Sequence, residues 1–153
     1  MKRIAFTLML AIALPALADR VPLPANTPAS YTAECSSCHM AYQPALLSAN
    51  DWRRTMAGLK DHFGTDATVD GPQRPEISAF LERNAGDAGK LGSAGEPPRI
   101  TQTARFIRKH REIAPKYWND PRIKSAANCE ACHRGAADGN YSEHDILIRE
   151  LRR

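Results

Sequence analysis

All four cysteines of the 153-residue chain fall in two copies of one pattern, Cys35-Ser36-Ser37-Cys38-His39 and Cys129-Glu130-Ala131-Cys132-His133. Two thiols three residues apart can each form a thioether with one vinyl group of a haem. A histidine directly after the second thiol is then placed to ligate the iron. On a helix such positions share one face, so Cys35, Cys38 and His39 can reach one macrocycle, and Cys129, Cys132 and His133 another. This is the spacing of c-type haem attachment, and it predicts two covalently bound haem c groups. Paired cysteines also serve as structural disulfides, as a redox dithiol, or as half of a zinc site. None of these accounts for a histidine in the same place after both pairs, and neither pair has the βαβ context of a thioredoxin-like dithiol.

His39 and His133 are the expected proximal ligands. The far side of each iron decides what the site does: two strong axial ligands make a closed, low-spin electron-transfer haem, whereas an open iron binds oxygen, nitric oxide or peroxide. Beyond the first 18 residues the candidates are His62, His110, His144, Met40 and Met56. Met40 adjoins His39 and would have to reach round the ring. His62 stands at the edge of an apolar helical stripe, where the plainer role is a last-turn histidine facing the helix dipole and solvent. Met56 is its rival, nearer the centre of the stripe, where methionine is more often core packing. His110 lies within the stripe of Phe106, Ile107 and Ile113, a face that must cover a haem. His144 is the rival for the second iron, beside Glu143 and Asp145 in a setting that favours exposure. The reading therefore pairs His62 with His39 and His110 with His133. Each distal candidate lies 23 residues from its partner (62 − 39 and 133 − 110), so each can come from its own segment.

The elements that must position these residues read as mostly α, with many loops and no strand pattern. Val21 to Ser30 is an extended arm. A first haem-binding helix is predicted from near Tyr31 through His39, and a helical turn over Pro44 to Ala49. A helix capped by Asn50 or Asp51 is predicted to run to Phe63, with Trp52, Met56, Leu59 and Phe63 on its apolar face. After a loop from Asp66 to Arg74, Pro75 opens a helix with Ile77, Phe80 and Leu81 inward and Gly86 past its end. Asp87 to Arg99, rich in glycine and proline, reads as a linker. Beyond it come a helix capped by Thr101 or Thr103 that ends before Pro115, an irregular stretch to Pro121, and a second haem-binding helix from Ser125 to His133. Ser142 with Asp145 resembles a capping box for a last helix from Glu143 to Leu151. The expected organisation is two small haem modules, 19–86 and 100–153, joined by 87–99.

Residues 1–18 have the pattern of a cleaved export signal: Lys2 and Arg3, an apolar run from Ile4 to Leu14, and Ala16-Leu17-Ala18. The apolar run is shorter than the roughly 20 residues of a membrane span, and no later segment is long and apolar enough. Cleavage after Ala18 implies an exported, periplasmic protein without a membrane span, expected to be monomeric. The formal charge of +4 includes Lys2 and Arg3, so the chain from Asp19 carries +2. Each ferric haem with its propionates adds about −1, bringing the total to about zero. Nothing in this balance argues for nucleic acid; partner choice rests on local patches around the haem edges. A core this small is expected to need its covalent haems for stability.

The stretches C-S-S-C-H-M-A-Y-Q-P-A-L-L from Cys35, D-H-F-G from Asp61, F-L-E-R-N-A from Phe80, F-I-R-K-H from Phe106 and K-S-A-A-N-C-E-A-C-H-R-G-A from Lys124 are together more specific than the haem motif alone. They resemble the dihaem cytochrome c family of purple and related proteobacteria, known for a member that partners the sphaeroides haem protein. The resemblance implies bis-histidine haems with distal ligands at the positions of His62 and His110. It also implies electron donation to an oxygen-binding monohaem c-type cytochrome, with a membrane cytochrome b upstream. The expected function is electron transfer without bond chemistry on a substrate. Alternatives are the small dihaem subunit of a periplasmic nitrate reductase, a dihaem peroxidase or gas sensor with an open iron, and a zinc-binding or structural domain.

Overall fold

The structure is a computed structural model that describes residues 19–151. The export signal read at residues 1–18 lies outside the described residues. The chain forms short helices separated by turns: α1 (Ala29–Cys35), α2 (Ala49–Ala57), α3 (Gln73–Arg83), α4 (Ala88–Leu91), α5 (Ala104–Lys109) and α6 (Pro115–Trp118). Among the described residues strand-like pairing is limited to isolated bridges, and there is no sheet. The class is mostly α with many loops, as expected.

The helices that carry the chemistry are shorter than the periodicity predicts, each for a local reason. α1 stops at Cys35 and does not run to His39. The Ser36 and Ser37 hydroxyls donate to the carbonyls of Thr32 and Glu34, so polar side chains take up the acceptors of the last turn. α2 is capped by Ser48, not by Asn50 or Asp51. The Ser48 hydroxyl accepts from the Asp51 N–H at 3.2 Å and donates to the Asp51 carboxylate at 2.6 Å, a reciprocal cap. The same helix ends at Gly58 rather than at Phe63, because glycine is a poor helix former and its N–H is shared between the carbonyls of Arg54 and Thr55. A 3-10 turn over Leu59–Asp61 follows, and Phe63 takes a positive φ of 55°.

The main core gathers Tyr31, Leu47, Trp52, Met56, Ile77, Phe80 and Leu81 around the α2–α3 contact. Tyr31 packs against Phe80 with ring centroids 5.0 Å apart, and the Trp52 indole donates to the Pro44 carbonyl at 2.7 Å. α3 begins two residues before Pro75, and its inward residues are the expected Ile77, Phe80 and Leu81. Gly86 does more than follow a helix: a Cβ there would stand 2.3 Å from the Ala45 carbonyl oxygen, so only glycine permits this close approach.

The stretch from Asp87 to Arg99 holds a helix of its own, α4, capped by the Asp87 carboxylate, and buries Leu91 and Ala94. Arg54 reaches into it to the Gly95 carbonyl and to Glu96. Thr103 caps α5, which ends at His110 well before Pro115, and Pro115 itself opens α6 where irregular chain was expected. Ile107, expected inward, is 58% exposed. The predicted helix from Ser125 to His133 is replaced by turns and one 3-10 turn, Cys129–Ala131. Asn128 bonds the Ile123 carbonyl and Lys124 has a φ of 64°, a left-handed conformation that breaks a helix. The predicted last helix is likewise two 3-10 turns, Glu143–Asp145 and Arg149–Leu151. The apolar cluster here is small, formed by Ile123, Ile146 and Ile148. The N-terminal arm docks on this end: the Val21 N–H bonds the Gly139 carbonyl at 2.7 Å, and the Tyr141 N–H bonds the Asp19 carbonyl at 2.9 Å.

Candidate functional site

The first C-x-x-C-H stretch leaves the end of α1 and turns, placing Cys38 and His39 at the surface. His39 Nδ1 lies 2.8 Å from its neighbour's carbonyl, that of Met40. This contact suits the N–H of the ring nitrogen that does not meet a metal, as in most metal-bound histidines. The break of α2 at Gly58 brings His62 round into the same region, with its ring centroid 6.3 Å from that of His39. A continuous helix to Phe63 would have carried His62 elsewhere. Phe63 stands beside His62 at 4.7 Å and is covered by the Arg99 guanidinium at 3.8 Å. Burial, then the neighbouring His39 and Arg99, lowers the pKa of His62 and favours its neutral form. Met56 is sealed in the main core at 6% exposure, and Met40 is buried as well.

The second site is a cavity of about 490 Å³, lined among others by His110, Trp118, Cys129, Cys132, His133 and Tyr141. Pockets of this size, ~300–1,000 Å³, hold cofactors. His110 stands at the end of α5, stacked on Phe106 at 4.0 Å, with Nδ1 2.9 Å from the Phe106 carbonyl. Its centroid lies 6.1 Å from that of His133. His133 Nδ1 is buried without a hydrogen-bond partner. Burial first, and then His110, lowers the His133 pKa to about 4. His144 is exposed and does not line the cavity, its backbone N–H bonded to Ser142.

Both histidine pairs fit a haem iron. An iron bound by two imidazoles stands about 2 Å from each nitrogen, which with ~1.1 Å from nitrogen to ring centre separates the centroids by ~6 Å. Direct contact between the rings would bring them closer. The other chemistries fit less well. The pKa values of Cys35 and Cys129 are raised to about 11, by burial first in each case, the reverse of what a reactive dithiol needs. Among the described residues no three His, Cys, Asp or Glu side chains converge as for a metal ion held by the protein alone.

A polar bridge between the two sites escaped the sequence reading. Tyr42 packs on His39 at 4.7 Å and donates to the Ala127 carbonyl at 2.6 Å, two residues before Cys129. Gln43, fully buried, donates to the Ala136 carbonyl at 2.9 Å and accepts from the hydroxyl of Tyr141, whose ring meets His133 edge-on at 5.5 Å. A lone glutamine has no periodic or spacing signature; only the adjacent aromatic and the motif upstream hinted that Tyr42 and Gln43 stand near chemistry.

A family model described as dihaem cytochrome c matches residues 31–141. Three solved structures are similar to the chain. DHC purified from Rhodobacter sphaeroides is 42% identical, covering 75% of this chain and 97% of that one, with a TM-score of 0.65. A dihaem cytochrome c from Shewanella baltica is 39% identical, covering 78% and 91%, with a TM-score of 0.69. A dihaem cytochrome c from Rhodobacter sphaeroides is 38% identical, covering 78% and 99%, with a TM-score of 0.68. No curated protein sequence matches. With the motifs, the matched length and these structures in agreement, the chain belongs to the dihaem cytochrome c family and is an electron-transfer protein with two haem c groups.

Proposed function

We propose that the protein is a periplasmic electron carrier with two closed, six-coordinate, low-spin haems. Cys35 and Cys38 attach one haem, whose iron is held by His39 and His62. Cys129 and Cys132 attach the other, held by His133 and His110. The observation that carries this reading is the spacing of the two histidine pairs, 6.3 and 6.1 Å between ring centroids. Each haem supplies, when bound, an iron that exchanges one electron without making or breaking a bond.

The protein's own residues do the rest. The Met40 and Phe106 carbonyls fix the ring orientations of His39 and His110. Burial keeps His62, His110 and His133 neutral, the form in which an imidazole ligates iron. Phe106 and Trp118 wall the second site against water and small ligands. Each ligand pair comes from its own segment, 19–86 for one and 100–153 for the other, which supports two haem modules around 87–99. Among the described residues no helix is long and apolar enough to cross a membrane. A membrane cytochrome b as donor and an oxygen-binding monohaem c-type cytochrome as acceptor are the partners this reading assigns.

Low-temperature EPR of the oxidised protein tests the ligation. Two low-spin ferric signals are expected. His62→Ala and His110→Ala should each convert one of them to high spin. Rapid, complete carbon monoxide binding to the reduced wild type, or conversion by His144→Ala in place of His110→Ala, would show the assignment to be wrong.

A further inference from the structure

The charge along the chain is strongly segregated. Residues 99–124 hold eight Lys and Arg against two Asp and Glu, a net +6 (8 − 2). Residues 19–98 carry −3 (7 − 10) and residues 125–153 carry −1 (4 − 5). The near-zero total with haems therefore hides a strongly basic central segment. The basic segment is the one that supplies His110. Arg105, Arg108, Lys109 and Arg111 line the same cavity as His110 and His133, four cations against the three carboxylates of Asp19, Glu112 and Glu143. At the centre of this run Ile107 is 58% exposed. Lys109 pairs with Asp19 at 2.9 Å and Arg111 with Glu112 at 3.5 Å, while among the described residues no carboxylate pairs with Arg105 or Arg108. Ion pairs alone do not account for this excess. An exposed apolar side chain on the helix that carries these cations has the composition of a small transient docking face.

We infer that the α5 face around Ile107, Arg108 and Arg111 is the docking surface for an acidic redox protein that exchanges electrons with the haem at Cys129–His133. The inference rests on the ligation proposed above. Cations at the cavity mouth steer an acidic partner toward that haem, and Ile107 gives the encounter a dry centre. The electron passes from ferrous haem iron to the partner's oxidised centre, one electron, with no proton and no bond change. With Asp19, Glu112 and Glu143 in the same lining, steering is short-ranged and acts within about a Debye length, ~10 Å at 0.1 M salt.

The test is stopped-flow oxidation of the reduced holoprotein by oxidised plastocyanin, a small acidic copper protein used as probe, across a range of salt. One electron moves from Fe(II) to Cu(II). For wild type the second-order rate should fall steeply as salt rises. Arg108→Glu combined with Arg111→Glu should slow the low-salt rate at least ~10-fold and flatten its salt dependence. The same variant should react faster than wild type with the cationic oxidant tris(phenanthroline)cobalt(III). Arg83→Glu with Lys90→Glu, the same charge change at exposed positions on α3 and α4, should stay within about two-fold of wild type. An unaltered rate and salt slope in the α5 variant overturns the surface, and so does an equal slowing in the α3–α4 variant, which would reduce the effect to net charge. Sedimentation of wild type, but not of the α5 variant, with phosphatidylglycerol vesicles at ~0.1 M salt would make the patch a lipid contact, which also overturns it. EPR of the same samples separates this from the ligation. Low-spin signals with a flat salt response sink the docking surface alone. High-spin signals in wild type sink the ligation, and a changed signal only in the α5 variant gives Arg108 and Arg111 a role at the haem rather than in docking.

Discussion

Replacing Gln43 with leucine removes the bridge between the two haem sites while keeping side-chain volume close to constant. Gln43 is fully buried and makes three contacts: with the Ala136 carbonyl at 2.9 Å, the Ala137 carbonyl at 3.2 Å and the Tyr141 hydroxyl. Ala137 is exposed, so water can replace the bond to its carbonyl. Ala136 is fully buried, but its carbonyl keeps the Gly139 N–H at 2.9 Å, so losing the Gln43 donor costs about 1 kcal/mol. The lost Tyr141 bond adds about 1 kcal/mol, for a total of about 2 kcal/mol. At ~2.1 cal/mol/K per residue over the 133 described residues, the unfolding entropy is about 0.28 kcal/mol/K, so Tm should fall by about 7 °C. Tyr141→Phe, which strands only the Gln43 oxygen, should cost about 1.5 kcal/mol, or about 5 °C. In the Gln43→Leu background the Tyr141 change should cost nothing further, because the hydroxyl then has no partner to lose. The assay is thermal unfolding of the ferric holoprotein by far-ultraviolet circular dichroism, with the Soret band followed in parallel. A Tm loss under about 3 °C for Gln43→Leu, or simple additivity in the double variant, would refute the bridge as a structural tie.

Further expectations concern the haem sites. Burial and the basic α5 run both disfavour the more positive, oxidised iron at Cys129–His133, whereas His39 and Cys38 lie at the surface. The second haem should therefore have the higher potential, and in spectroelectrochemistry His110→Ala should alter the upper wave; an altered lower wave would reverse the assignment. The His133 pKa is lowered from 6.5 to about 4, so the folded protein resists protonating a ring that the unfolded chain protonates near 6.5. Stability from the neutral ring is complete above pH 6.5 and is lost as pH falls toward 4. Acid titration of the ferric protein should accordingly keep its low-spin spectrum from pH 7 to 5, and conversion with a midpoint near 6.5 would contradict this. Blocking attachment with Cys129→Ser and Cys132→Ser should loosen residues 105–148, whose apolar cluster is small, while residues 77–81 of the main core keep their hydrogen-exchange protection. Uniform loss of protection across both regions would show that the two clusters are not separable.

Attachment chemistry was legible in the sequence because it is local: two thiols and a histidine within five residues state their own purpose, whatever fold surrounds them. The inward faces of Trp52, Met56, Ile77, Phe80 and Leu81 were legible for a similar reason, since helical periodicity survives without tertiary contacts. Helix ends were not. Ser36, Ser37, Gly58 and Asn128 stop or replace predicted helices through hydrogen bonds that a periodicity argument does not weigh. Ile107 was misread because helical spacing assigns a side without knowing what lies opposite it. The sequence by itself determined that two haems attach, and narrowed the distal ligands to a few histidines and methionines. Only the tertiary structure decided which of these meet. The break at Gly58 swings His62 toward His39, the end of α5 brings His110 to His133, Met56 is drawn into the main core, and His144 is left outside. Such pairings depend on contacts between residues far apart in the chain, where one turn more or less of helix carries a ring from one site to another.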